Sequence, residues 1–192
     1  MDATAADCFE TAHYDWVAIN AWDNIGVVDP NVCTSLNNAE AAGLPIRDIY
    51  MIPCPTCTAP PRVQMDTMIS YVVQNCQSAW TGGLWLYIED PASWSADITE
   101  NETFYTKLVD SCYSRYGVTC GIYSSYNTWV TVFGSANGFC FGQQLPLWYS
   151  DPDLQTNFDD FQPFGCWTEP YGKQYVNDVY ECSMPIDRNY KP

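Results

Sequence analysis

Positive charge is scarce in this sequence: lysine and arginine together number 7 against 23 aspartates and glutamates, leaving a net charge of −16. A chain so poor in cations lacks the basic footprint that phosphate binding needs, so nucleic acid is excluded as a partner and anionic membranes are disfavoured. Anionic polymers are disfavoured at long range as well, and any glycan ligand has to be held by short-range contacts. No apolar run approaches the length of a bilayer-spanning helix, which argues against membrane insertion. Met1-Asp2-Ala3-Thr4-Ala5 has neither the basic start nor the apolar core of a secretory signal, and we expect a processed or engineered mature form. Histidine is nearly absent, His13 being the single one. Ser124 and Ser125 therefore have no suitable partners nearby for a serine-hydrolase triad. Repeats, low-complexity tracts and linkers are missing too, so residues 1–192 are expected to form one domain.

What the chain does have is apolar bulk and cysteine. Hydrophobic residues make up 47% and aromatics 16%, enough for a sizeable packed core. Ten cysteines point to an oxidising compartment, outside the cell or in a phagosome- or lysosome-like lumen. Cys54 and Cys57 form a C-x-x-C pair that in isolation suits zinc, a redox dithiol or a disulfide. A second such pair is missing and His13 is far away, so structural disulfides with complete pairing are the better reading. No metal or other cofactor is called for. Asn101-Glu102-Thr103 matches an N-glycosylation acceptor, a triplet that also arises by chance.

Strand-like and helix-like stretches alternate along the chain. Trp16–Trp22, Ile46–Ile52, Leu84–Glu89 and Gly121–Ser124 read as strands. Helices are expected from Asp29-Pro30-Asn31 to about Ala42 with Gly43 as a left-handed stop, and from Pro61 to about Cys76. Two more are expected over Glu100–Tyr116, closed by Gly117, and over Tyr126–Phe133. The second of these four has helical spacing at Val63, Met65, Met68, Ile69 and Val72. After Gly134 only brief apolar runs remain, at 145–149 and 173–176. Successive strand–helix units favour parallel strands with helices outside, hence a barrel or a doubly wound sheet.

In a parallel barrel the active site gathers where the strands end. Glu89 closes its strand just before Asp90-Pro91, and alternation sets Trp85, Tyr87 and Glu89 on one face and Leu84, Leu86 and Ile88 on the other. The aliphatic trio is what outer helices would cover, so Glu89 is expected to point inward. There, beside apolar rings, its pKa would rise as a general acid requires. The competing reading is a solvated strand-end glutamate.

Trp85-Leu86-Tyr87-Ile88-Glu89 resembles the strand of glycoside hydrolase family 25 lysozymes in which an aspartate stands two residues before a glutamate. Further segments resemble the nematode and protist branch in order: Val28–Asn31, Asp48–Cys57, Gly121–Ser124, Pro146–Tyr149, Phe161–Gly165, Lys173–Tyr175 and Ile186–Asn189. Together they span nearly the whole chain from about Cys8. The resemblance implies an irregular TIM-like α/β barrel of about eight strands that cleaves the β-1,4 bonds of peptidoglycan. It also implies a cluster of carboxylates, in which Glu89 matches the acid and Asp187 the C-terminal aspartate.

Two positions depart from the pattern. Tyr87 stands where the paired aspartate belongs, and a tyrosine at neutral pH supplies no negative charge for an oxocarbenium ion. Asp2-Ala3-Thr4 has the form of the family's first strand but lies too close to Cys8; either that strand is shortened, making Asp2 a site residue, or it is missing. Tyr87, Trp148, Tyr149 and Tyr175, with Trp85, are candidates to stack on sugars, though rings of this size serve equally in core packing. The acidic loops at Asp151–Asp153 and Asp159–Asp160 would suit calcium or plain solvation, and they lack EF-hand spacing. Two functional readings stay open: a muramidase weakened at Tyr87, or a degenerate member that binds glycan or protein partners in an extracellular assembly.

Overall fold

A computed structural model describes residues 1–113 and 118–192. Its strands are β1 (Trp16–Asp23), β2 (Val27–Val28), β3 (Ile46–Met51), β4 (Gly83–Ile88), β5 (Thr119–Ser124), β6 (Leu147–Ser150), β7 (Gly172–Glu181) and β8 (Met184–Tyr190). They form one sheet in the order β2-β1-β3-β4-β5-β6-β7-β8, parallel from β1 to β7 and antiparallel at both ends. The helices are α1 (Ala3–Thr11), α2 (Val32–Ala42), α3 (Pro61–Cys76), α4 (Ile98–Tyr113) and α5 (Tyr126–Phe133). The sheet curls into an eight-stranded half-barrel, the irregular α/β barrel expected from the sequence.

Strand alternation divides the packing into two layers. Ile49, Met51, Leu84, Leu86, Ile88, Ile122, Leu147 and Tyr149 face outward into one core with the buried sides of α2 to α5. Each large aliphatic side chain buried there contributes roughly 1.5–3 kcal/mol. The inward face is aromatic: Trp85, Tyr123 and Trp148 fill the barrel together with Trp16, Tyr50 and Tyr87.

At the end where the parallel strands begin, this aromatic filling is anchored on one carboxylate. Asp48 accepts hydrogen bonds from the indole N–H groups of Trp16 (2.9 Å) and Trp85 (3.1 Å), and from the Thr81 hydroxyl (3.3 Å). Only 8% of Asp48 is exposed, so these donors replace water. Two glycines make room. A Cβ on Gly83 would lie 2.2 Å from the Asp48 carboxylate, and one on Gly121 would lie 2.3 Å from the Trp85 ring.

Outside the barrel, the β7–β8 hairpin reaches across to α1. Met184 and Ile186 join Ala5, Phe9, Val17 and Ile19 in a small second core, and Tyr14 donates to Glu181 (3.0 Å). The Cys8–Cys182 disulfide closes this contact. The other bridges are Cys33–Cys76, Cys54–Cys57, Cys112–Cys120 and Cys140–Cys166, so all ten cysteines are paired.

Several expectations are corrected. Residues 3–11 are a helix, with no strand before β1 among the described residues. Asp2 is its N-cap and accepts the Ala5 N–H at 2.8 Å, because Asp followed by alanines starts a helix more readily than a strand. Asp29 does not cap α2: its carboxylate takes the Asn31 N–H (2.7 Å) in a turn, and the helix opens at Val32. Gly43 does supply the left-handed stop, with φ +88°. In α3 Met65, Met68, Ile69 and Val72 are buried as the spacing predicts, but Val63 is exposed and Gln64 is buried beside them; the Gln64 amide braces both the N–H and the carbonyl of Cys54. The expected end of α4 at Tyr116–Gly117 lies outside the described residues.

The glycosylation reading of Asn101 also meets a physical obstacle. Its side chain is 2% exposed, its amide donates to the carbonyls of Ser95 (2.9 Å) and Val132 (2.9 Å), and its carbonyl accepts the Ser95 N–H. A glycan on that nitrogen would replace one of the two donating hydrogens and would have to fit where the side chain is closed off from solvent.

The Cys8–Cys182 bridge spans the longest stretch of chain, a separation of 174 residues. Replacing both cysteines by serine is expected to lower stability by about 2–5 kcal/mol in equilibrium denaturation. Hydrogen exchange should speed up first in the β7–β8 hairpin tip and α1.

Candidate active site

The inward residues at the C-terminal ends of the strands converge on one constellation. Glu89 follows β4 directly and is half-buried. Asp90 then adopts φ +48°, a left-handed conformation that aspartate tolerates better than most residues, and a short turn from Pro91 begins. The Trp94 indole N–H donates to the Glu89 carbonyl (3.2 Å), fixing the corner on which the carboxyl sits.

Tyr87, two residues earlier on the same face, lies flat against Tyr123 of β5, with ring centroids 3.7 Å apart and planes 3° from parallel. Tyr50 of β3 packs on its other side at 4.9 Å. The Tyr87 hydroxyl donates to the Gln174 side-chain carbonyl (3.4 Å), and the Gln174 amide donates to Asn177 (2.8 Å). Asp187 of β8 lines the cleft with Tyr50 and Tyr87, its Oδ1 accepting the Asp178 N–H at 2.9 Å.

Electrostatics follow from this crowding. Burial, then the Asp187 and Asp90 carboxylates, push the Glu89 carboxyl above its usual range, while a hydrogen bond from Tyr123 pulls it partly back. Tyr50 is pushed up to about 12 by burial and by Asp187, Asp29 and Asp23. Tyr87 rises further, through burial and then Tyr123, Glu89 and Tyr50. All three phenols, Tyr123 included, stay neutral at physiological pH and serve as hydrogen-bond donors. A carboxyl that holds its proton more tightly than usual, beside neutral hydrogen-bond donors and a second carboxyl group, is equipped for proton donation to a leaving oxygen.

The candidates from the sequence divide accordingly. Glu89, Tyr87 and Asp187 come together. Asp2 lines the cleft wall but acts as the α1 cap, and the carboxylates that act on Glu89 are Asp187 and Asp90. Trp148 faces inward yet is only 4% exposed, packed among Trp16, Trp85 and Tyr123 with its N–H on Asn189 (3.0 Å). Tyr149 points the opposite way, into the outer core against Phe158 and Phe161, and donates to Asp160 (2.9 Å), so it is not a cleft residue. Tyr175 is half-buried, lies outside the cleft lining, and gives its carbonyl to the Leu154 N–H.

Tyr50, Tyr123 and Gln174 were missed as site residues, although the strand parity that selected Tyr87 also selects Tyr123. In the acidic loops the cation is Lys173, fully buried against Asp153 (2.7 Å) and Asp160 (2.6 Å). Among the described residues no group of histidine, cysteine or carboxylate side chains is arranged to hold a metal.

A protein-family model described as "Lysozyme-like protein 1" matches residues 1–175. "Probable GH family 25 lysozyme 2" of Dictyostelium discoideum is 37% identical over 96% of this chain and 84% of its own length. "Probable GH family 25 lysozyme 5" of the same organism is 36% identical over 96% and 83%. In three dimensions the bacterial lysozyme from Streptomyces coelicolor superposes with a TM-score of 0.75 at 21% identity, covering 97% of this chain and 85% of that one. That likeness concerns the fold.

A raised carboxyl pKa has a thermodynamic sign. The folded state holds the Glu89 proton more tightly than the unfolded chain, so stability falls as pH rises from the unfolded value near 4.3 through the folded one. Glu89→Gln is therefore expected to stabilise the protein at pH 7 and to lose that advantage below about pH 4. Denaturation curves of the two proteins at both pH values check it.

Proposed function

The chain belongs to the glycoside hydrolase family 25 lysozymes, and on that footing we propose that it is a muramidase-type hydrolase of peptidoglycan whose turnover is weakened at Tyr87. The observation that carries the proposal is the half-buried Glu89 carboxyl, raised in pKa at the end of β4 with Asp187 acting on it. Glu89 gives its proton to the glycosidic oxygen as the bond to the sugar's anomeric carbon breaks. Asp187 is placed to stabilise the positive charge that develops on the ring. Water then adds its hydroxyl to the anomeric carbon, and its other proton returns to the Glu89 carboxylate. Tyr50 and Tyr87 supply neutral hydroxyls along the cleft, contacts that suit an uncharged sugar backbone in a strongly acidic protein.

Tyr87 is the weak point. Its neutral phenol occupies the place where the resemblance expects a carboxylate, and its ring is held on both faces by Tyr50 and Tyr123. Among the described residues, the negative charges that act on Glu89 are those of Asp187 and Asp90. The same stacking favours a second reading, a non-catalytic glycan-binding protein in which the ring has become part of the cleft wall. We further propose that residues 1–192 act as one domain and that the protein works outside the cell or in a lumen, where five disulfides persist.

Lysis of bacterial walls, followed by turbidity, separates the readings. Glu89→Gln should reduce lysis by about 10²–10⁴-fold. Lysis that Glu89→Gln leaves intact would remove Glu89 as the acid, and a wild-type protein that binds walls without lysing them would establish the second reading. Wild-type activity should decline with rising pH as the Glu89 proton is lost. Tyr87→Asp should raise the rate and move that decline to higher pH, because a new carboxylate beside Glu89 holds its proton more tightly.

A further inference from the structure

β7 and β8 slip out of register where their hairpin reaches the candidate site. Val179 pairs with Ile186 and Val176 with Arg188, so Asn177 and Asp178 together stand opposite the single residue Asp187. Two residues against one make a β-bulge, and Asp178 carries its left-handed backbone, with φ +54°. That conformation costs an aspartate some strain, and the side chains of both bulge residues are exposed, so the extra residue serves no core packing.

Each of the two residues reaches a different group of the site. The Asp178 N–H turns from the β8 backbone to the Asp187 side chain, donating to Oδ1 at 2.9 Å. The Asn177 side-chain carbonyl accepts the Gln174 amide (2.8 Å), and the Gln174 carbonyl accepts the Tyr87 hydroxyl (3.4 Å). Gln174 is 3% exposed, so an amide released by Asn177 would find little water to replace it. Asp187 is the opposite case. It is exposed on the last strand of the sheet, where a short side chain samples several rotamers unless a partner holds it in one. The N–H of the bulge is that partner.

We propose that Asn177 and Asp178 are positioning residues: the bulge they form aims the Asp187 carboxyl group at Glu89 and, through Gln174, fixes the Tyr87 hydroxyl beside it. One irregularity in β7 thus coordinates side chains from β4 and β8 that do not touch each other through the sheet ladder. Reacting groups held in one geometry in advance lower the barrier to each turnover without changing how tightly the substrate is held elsewhere. The kinetic consequence rests on the hydrolytic reading. The geometric one does not, and it is read on the resting protein.

Two variants separate the bulge from the Asp178 charge, since both remove that carboxylate. Asp178→Gly suits a positive φ and keeps the bulge, whereas Asp178→Val disfavours it and drives β7 toward a regular ladder. The Glu89 carboxyl is followed by carbon-13 NMR through a pH titration of each whole protein. The groups acting on it are Asp187 from β8, Tyr123 from β5, and Asp90 next to it in the chain, with Tyr87 earlier on β4. Of these, the bulge controls Asp187, which raises the Glu89 midpoint. That midpoint should therefore lie lower in Asp178→Val than in Asp178→Gly. On soluble peptidoglycan fragments the valine variant should also show a kcat about tenfold or more below that of the glycine variant, at similar KM. Asn177→Ala should speed exchange of the Tyr87 hydroxyl proton with water, and Asn177→Asp, which still accepts the Gln174 amide, should restore it. If Asp178→Val does not fold, Asp178→Ala carries the same comparison with glycine at a smaller penalty. Equal Glu89 midpoints in the two Asp178 variants overturn the proposal, as does a loss confined to KM. A wild-type protein that hydrolyses nothing, with midpoints that still differ, would sink the hydrolytic reading and uphold the positioning.

Discussion

Asp48 and the two indoles that donate to it set the geometry of the barrel interior. A carboxylate this deeply placed is tolerated only when donors replace its water, and the donors here belong to the largest side chains in the chain. Fixing Trp85 on Asp48 fixes its ring over Gly121, and the ring stacks edge-on against Trp148. Trp148 in turn braces Tyr123 and Tyr87, so the order imposed at one end of the barrel reaches the Glu89 carboxyl at the other. The inner layer is thus one connected aromatic column with a charged foot.

Which parts of this were legible in the sequence follows from how local their causes are. Pro61–Cys76 was readable from its proline start and helical spacing, and Tyr126–Phe133 from a short helical stretch that Gly134 ends, all of them local signals. Strand alternation correctly separated Leu84, Leu86 and Ile88 from Trp85 and Tyr87. The failures came from long-range causes. α1 was obscured because family likeness suggested a strand where a capping aspartate and alanines favour a helix. β8 was seen as a motif around Asp187 and not as a strand, since Pro185 and charged residues break its pattern and only pairing with β7 makes it extended.

The site shows the same division. Glu89 and Tyr87 could be found from one strand, whereas Tyr50, Tyr123 and Gln174 enter through neighbouring strands whose register no single segment reveals. Tyr149 was misassigned by one residue, and in a strand one residue is a change of face. Asn101 illustrates a further limit: the acceptor triplet is a surface signal, but the side chain is used to tie the turn before α4 to the end of α5.

The Cys8–Cys182 bridge has a consequence for load. Together with the backbone between those residues it makes nearly the whole chain a covalent ring. Tension applied through segments outside the two cysteines passes across the sulfur–sulfur bond and bypasses the barrel. A single cut in any loop between residues 8 and 182 opens the ring without releasing a fragment, so the two pieces stay tethered and the sheet keeps both of its ends.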